Sequence, residues 1–201
     1  MAMTSETLEI DMSGPYSWLP SPSNSDPPFL GSAAAKLAGV YLWTVPRPDG
    51  LLVYAAGYTT RSFAGRVRAH TKNYLSGRYT ILNVGELLQG RRKEIWHGLF
   101  YKKASATRLD EYHQRATELE ARAREQLQTF RIVLLPMVTE ERMMRRVEAA
   151  VMHALYAAQA ALAAIPDRGM SLAPRWKSEA PVRIRLRSGP LLLGLPREFD
   201  A

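Results

Sequence analysis

The sequence predicts an α+β chain, and three observations carry that assignment. Residues 39–45 and 51–57 are rich in Val, Leu, Tyr and Trp and flank Pro46-Arg47-Pro48-Asp49-Gly50, a run of strong turn formers, so they read as an antiparallel hairpin. From Thr107 to about Phe130, Leu109, Tyr112, Ala116, Leu119, Ala123 and Leu127 recur at spacings of three and four, which describes a long amphipathic helix. Near the C-terminus, Val182, Ile184 and Leu186 alternate strictly with Arg183, Arg185 and Arg187, which describes a strand with one apolar and one basic face.

The remaining elements fill in around these. Residues 1–37 form a Pro/Ser-rich arm. Pro15, Pro20, Pro22, Pro27 and Pro28 discourage both helix and sheet, but Tyr16, Trp18, Leu19, Phe29 and Leu30 are too apolar for a free tail, so part of the arm is expected to dock. After the hairpin, Thr60 or Ser62 caps a basic helix that runs to about Tyr74, and Gly77 ends it. Residues 79–84 suggest a third strand, followed by a mixed loop with Gly85, Gly90 and Arg91-Arg92-Lys93 and a short apolar run from Ile95 to Tyr101. Thr107 with Asp110 is a helix-start signal of the capping-box type. Arg131 to Val138 reads as a strand that lies at an edge or stops early, because of Pro136. Thr139 is then expected to cap a helix reaching about Ala163, with Glu140 and Glu141 suited to the positive end of its dipole.

The 201 residues fit one ordinary domain with decorations, and no run is long and apolar enough to cross a membrane. The acidic, Pro/Ser-rich start reads as neither a signal nor a transit peptide. With no cysteine, disulfides, thiolate zinc sites and cysteine nucleophiles are excluded, and a cytoplasmic location is the expectation. The net charge of +8 is unevenly placed: residues 61–103 hold ten Lys/Arg against Glu86 and Glu94, whereas residues 1–38 are acidic. Clustered positive charge suits a polyphosphate partner, since each neutralised phosphate releases counterions.

Phosphodiester hydrolysis needs a base for water, a cation to offset charge on the phosphoryl group, and usually a metal held by a carboxylate. Arg66 and His70 are four apart and share one helix face, which the hairpin can turn toward the strand carrying Tyr41. Arg66 brings a fixed fork of donors, and His70 a group able to move a proton near neutral pH. Taken singly, each is more often a surface residue. Glu148 lies among small and apolar residues (Met144, Val147, Val151, Leu155), where a carboxylate is costly unless it is paired or bound to metal. Two readings remain open for it: an ion pair with Arg145 or another arginine, or a hard divalent ion such as Mg²⁺. Gly57 ends the second strand, where a turn or the close approach of a phosphate favours glycine.

In combination, Gly39-Val40-Tyr41, the hairpin, Tyr54-Ala55-Ala56-Gly57, Arg66, His70 and the distant helical Glu148 resemble the GIY-YIG nuclease family over roughly residues 38–165. The resemblance implies a small mixed or antiparallel sheet flanked by helices, with an insertion at about 77–106 and a basic C-terminal extension over 166–201. It also implies cleavage of double-stranded DNA with one Mg²⁺ or Mn²⁺ per site. Tyr41 would act as the base or position the water, Arg66 would stabilise the phosphate, His70 would assist, and Glu148 would hold the metal. Tyr54 stands one residue too far from Gly57 for the second tripeptide. Either the strand carries a bulge or Ala55 replaces the tyrosine, and Tyr58 is a further candidate for the ring. No asparagine occurs beyond Asn83. The insertion and basic tail look more like the restriction-enzyme branch, acting as a homodimer because one such site cuts one strand. Arg61, Arg68, Lys72, Arg91, Arg92, Lys93, Arg183, Arg185 and Arg187 are the expected DNA contacts, although a surface strand made soluble by arginines accounts equally for the last three. The alternative is a protein with this fold that binds DNA without cleaving it.

Overall fold

The computed structural model describes residues 6–22, 24–99 and 106–201. In chain order these residues form strands β1 (Glu6–Asp11) and β2 (Ser13–Ser17), a short 3-10 turn, strands β3 (Gly39–Arg47) and β4 (Gly50–Thr59), and helix α1 (Phe63–Leu75). Next come β5 (Ile81–Leu82), α2 (Val84–Leu88), β6 (Glu94–Trp96), the long helix α3 (Ala106–Thr129) and β7 (Arg131–Pro136). The chain closes with α4 (Glu141–Tyr156), the single turn α5 (Ala160–Ala163), β8 (Val182–Arg187), β9 (Leu192–Leu193) and β10 (Glu198–Asp200). The chain is therefore α+β.

The hairpin β3–β4 forms the middle of a five-stranded sheet of order β2-β7-β3-β4-β9, antiparallel except for the β4–β9 pair. Because side chains alternate across a strand, the hairpin serves two cores at once. On one face Tyr41, Trp43, Val45, Leu52 and Tyr54 pack with Phe63, Val67 and Tyr74 of α1 and with Leu119, Ala123 and Leu127 of α3. On the other, Val40, Leu42, Leu51, Val53 and Ala56 pack with Met144, Val147, Val151 and Leu155 of α4. That second core also takes in Val182, Ile184 and Leu186, the apolar face of the alternating C-terminal strand.

The arm departs from expectation. Its prolines did not keep it out of sheet: β1 pairs in parallel with β8, and β10 completes a second three-stranded sheet. β2 pairs with β7 as an edge strand, and Pro15 falls where that register is irregular, so the missing N–H costs no ladder bond. The expected docking is present. Trp18 and Phe29 are buried, Trp18 meets Trp43 edge-on at 5.0 Å, and its Nε1–H donates to Thr71 Oγ1 at 2.8 Å.

Other boundaries differ for local reasons. The expected strand at 79–84 is only two residues long, because Asn83 caps α2 through its side chain. The apolar run from Ile95 contributes β6, and its end lies outside the described residues. Helix α3 begins before Thr107, which therefore does not cap it. Strand β7 lies between β2 and β3 rather than at an edge and stops at Pro136. Thr139 does not cap α4: Glu140 occupies that position without a side-chain bond, and the helix ends at Tyr156 before a separate turn. Ser62, not Thr60, caps α1, its Oγ accepting from Gly65 N at 3.2 Å.

Gly39 shows why the hairpin starts where it does. Its φ is +137°, and a Cβ there would lie 2.3 Å from the Leu135 carbonyl oxygen on the neighbouring strand. Backbone strain and a clash with another strand act together at this position. Gly39→Ala is expected to destabilise the protein by about 2 kcal/mol or more, measured as a lowered urea midpoint. An unchanged midpoint would contradict the close β3–β7 approach.

Candidate functional site

The site is built where β3, β4, α1 and α4 meet. Tyr41 on β3 is paired across the ladder with Gly57 on β4. A Cβ on Gly57 would lie 2.1 Å from the Tyr41 hydroxyl oxygen, so the absence of a side chain at 57 is what lets the Tyr41 ring lie across the strand. This is a stronger reason for glycine than the turn expected there. A cavity of about 260 Å³ opens at this point. Tyr41, Tyr54, Gly57, Tyr58, Arg66, His70 and Glu148 all line it. Residues from four elements, β3, β4, α1 and α4, thus share one wall.

The polar connections run through the Tyr41 hydroxyl. Arg66 Nε donates to it at 3.2 Å, and His70 Nε2 lies 2.7 Å away. His70 Nδ1 lies 2.9 Å from the Tyr79 hydroxyl, which also accepts from Asn73 Nδ2 at 3.1 Å. Two tautomers satisfy these contacts: in one, Tyr41 O–H donates to Nε2 and Nδ1–H donates to Tyr79; in the other, both bonds run the opposite way. Burial pushes the Tyr41 hydroxyl well above its ordinary range, with Arg66 opposing. Burial, and secondarily Arg66, pushes His70 down to about 3, so its imidazole is neutral at physiological pH.

Glu148 is 7 % exposed and makes no hydrogen bond or ion pair among the described residues. Arg145, the arginine named as an ion-pair partner for it, pairs instead with Glu141 at 2.7 Å. Desolvation raises the Glu148 carboxyl to about 7, and the cations of Arg66 and Arg145 only partly offset this. A buried carboxylate without a partner, open to a cavity, fits a divalent ion. No group of three or more His, Asp or Glu among the described residues could hold a metal.

Strand β4 carries a bulge at Tyr54. Trp43 pairs with Ala55 and Thr44 with Val53, which leaves Tyr54 as the extra residue on β4. The bulge lets Tyr54 and Ala55 face the same core, so Tyr54 reaches the cavity wall despite its spacing from Gly57. Its ring is fully buried beneath the Arg92 guanidinium, 5.6 Å from the ring centre, and burial raises its hydroxyl above the usual range. Tyr58 stands at the rim, where its hydroxyl donates to Glu141 Oε1 at 3.0 Å.

The basic residues divide into two groups. Arg183 pairs with Asp200, Arg185 with Glu9 and Glu198, and Arg187 with Glu9, so the charge of the C-terminal strand is matched within its own small sheet. Arg91 pairs with Glu86. Arg92 pairs with Glu94 and donates to the carbonyls of Ile165 and Pro166, which makes it a structural tie. Arg61, Arg68, Lys72 and Lys93 are exposed, with no side-chain hydrogen bond or ion pair among the described residues. Of these four, Arg68 and Lys72 lie on α1, which also carries Arg66.

Reading the residues alone missed Tyr79, Asn73 and the segment Asp167–Ser171, whose Asp167, Gly169, Met170 and Ser171 line the cavity. Asn73 had a signal, three residues beyond His70 on the same helix. Tyr79 and Asp167 had none, because each reaches the site only through tertiary packing.

The raised Glu148 carboxyl has a measurable sign. Its folded value, about 7, exceeds its ordinary value of 4.5, so the stability that its proton brings is fully present below 4.5 and is lost as pH rises through 7. The loss amounts to about 3 kcal/mol at pH 8. His70 works oppositely, costing stability as pH falls from 6.5 toward 3. Glu148→Gln is therefore expected to melt above the wild type at pH 8 without divalent ions and close to it at pH 4.5. Adding Mg²⁺ should raise the wild-type melting temperature and leave the variant's unchanged. Identical melting at both pH values would contradict the buried, unpartnered carboxylate.

Comparison with family models, with curated proteins and with solved structures finds no match for this chain, so the chemistry of the cavity carries the interpretation of the site.

Proposed function

We propose that the chain is a metal-dependent DNA endonuclease of the GIY-YIG type, acting on phosphodiester bonds of double-stranded DNA. The observation that supports this most is the convergence of Tyr41, Arg66, His70 and Glu148 on one cavity. Four side chains spread over more than a hundred residues supply, in one place, a proton-handling pair, a fixed cation and an unpartnered carboxylate. The unmatched cations of α1 lie on the helix that delivers two of them. The central hairpin, α1 and the glutamate-bearing α4 stand in the order that the family resemblance implies.

In this reading a phosphate enters beside Arg66, whose Nε is committed to Tyr41 while the rest of its guanidinium offsets phosphoryl charge. As a water oxygen bonds to phosphorus, the bond from phosphorus to the leaving sugar oxygen breaks. The water's proton goes to the Tyr41 oxygen, Tyr41 passes its own proton to His70 Nε2, and the leaving oxygen takes a proton from solvent, to which His70 afterwards returns its own. The exchange keeps the buried phenol neutral, as its raised pKa favours. Tyr79 and Asn73 hold the imidazole so that Nε2 faces Tyr41. Glu148 would hold one divalent ion, Mg²⁺ or Mn²⁺, which when bound supplies Lewis-acid stabilisation of the phosphoryl oxygens. Because one such site cuts one strand, double-strand cleavage would require two copies of the chain. A sequence-specific restriction role is the finer form of this proposal, with the free cations along α1 fixing the DNA backbone.

Supercoiled plasmid with Mg²⁺ or Mn²⁺ tests it. The wild type is expected to nick. Tyr41→Phe, Arg66→Ala and Glu148→Ala should each lower the rate about a hundredfold or more, the scale for removing one group that stabilises the transition state. Equal nicking by all four proteins, or none by the wild type under several divalent metals, would overturn the proposal. Salt-sensitive DNA binding without cleavage would support the non-cleaving alternative instead.

A further inference from the structure

Trp176 is the most exposed large aromatic among the described residues, at 63 %, yet it is not loosely held. The Arg142 guanidinium of α4 stacks on its ring, with Cζ 4.1 Å from the ring centre. Arg142 is itself clamped. Its Nε and Nη2 donate to Glu179 at 2.8 and 2.6 Å, Nη1 donates to the Ala173 carbonyl at 2.9 Å, and Nη2 donates to the Pro174 carbonyl at 2.8 Å. Glu179 closes the loop on itself: Trp176 N donates to its Oε2 at 2.7 Å, and Glu179 N donates to the Trp176 carbonyl at 3.1 Å. The guanidinium holds the Glu179 carboxyl down at about 2.

This clamp would close the loop with any residue at position 176. What the indole adds is a flat π face, fixed at its orientation and left open to solvent. Its chain neighbours Arg175 and Lys177 have no acidic partner among the described residues; Arg175 donates to the carbonyls of Trp176 and Glu179. Arg142 and Glu179 cancel, so the ring stands in a locally positive surround. A rigid aromatic face between unmatched cations is complementary to a nucleobase carried on its phosphates. A purely anionic partner would engage the cations and have no use for the ring.

Position agrees with this. Gly169, Met170 and Ser171 line the catalytic cavity, and Trp176 follows Ser171 by five residues. A chain of five residues spans at most about 17 Å, or about five nucleotide steps of 3.4 Å along one strand. We propose that Trp176 is a stacking platform for an unstacked nucleobase of the DNA whose backbone enters the cavity, with Arg175 and Lys177 gripping the flanking phosphates. The inference rests on the nuclease reading for the presence of DNA, and extends it to how the substrate is held.

Intrinsic fluorescence provides the test, because Trp18, Trp43 and Trp96 are buried, at 2 %, 7 % and 3 % exposed, and Trp176 is not. The full-length protein, free of divalent metal so that nothing is cut, is titrated with a labelled duplex oligonucleotide carrying a single-stranded end. Label anisotropy reports binding and tryptophan emission reports stacking. The wild type is expected to bind with quenching of an acrylamide-accessible indole. That component should be absent from Trp176→Phe, whose ring still binds DNA, and Trp176→Ala should bind about tenfold more weakly. Thermal melting identifies a Trp176→Ala protein that has lost its fold, in which case the wild-type minus Trp176→Phe difference decides. DNA binding with no Trp176 quenching and equal affinity in all three proteins would overturn the platform and leave the nuclease reading to the plasmid assay. Absence of binding by the wild type at low salt would overturn both.

Discussion

The site depends on one steric fact, the passage of the Tyr41 ring over Gly57. Pairing of β3 with β4 sets these residues side by side, and only a residue without a Cβ leaves room for the phenol. Once the ring lies there, its hydroxyl sits within bonding distance of both Arg66 and His70, which α1 presents four residues apart on one face. The Tyr54 bulge lies two pairs further along the same ladder. It keeps the wall aromatic without crowding the point where Tyr41 crosses. The geometry of the hairpin thus decides the chemistry of the cavity, and the helices supply groups to positions that the ladder has defined.

Burial then sets the charge states. Tyr41, His70 and Glu148 are all held toward their neutral forms, and in each case desolvation is the largest cause. Arg66 is the charged group beside them, and its cation opposes the shifts of Tyr41 and Glu148 without overcoming them. The cost of keeping a carboxylate there without a partner is a few kcal/mol at most, within what two well-packed cores on the two faces of the sheet can carry.

Much of this was readable from the residues. The hairpin, α1, α3 and the alternating C-terminal strand have strong periodicity or turn chemistry, and each exists within a few residues of where it was expected. The convergence of Tyr41, Arg66, His70 and Glu148 followed from spacing together with a family resemblance. The arm was misjudged because its prolines were weighed as local breakers, whereas its strand partners lie more than a hundred residues away, in β7 and β8. The C-terminal arginines looked available for phosphate because a sequence does not show that Glu9, Glu198 and Asp200 stand opposite them.

What the sequence determined by itself was periodicity and residue type: which stretches are strand or helix, which helix face carries Arg66 and His70, and that Glu148 lies among apolar neighbours. Those properties repeat over two to four residues and need no partner to be recognised. Only the tertiary structure decided which charges are matched, that Tyr54 sits in a bulge, and that Tyr79 and Asp167 reach the cavity. It alone showed that Gly57 is empty for the sake of a ring on the neighbouring strand. Each of these is a relation between residues far apart in the chain, set by register and packing, and neither quantity is written in any local pattern.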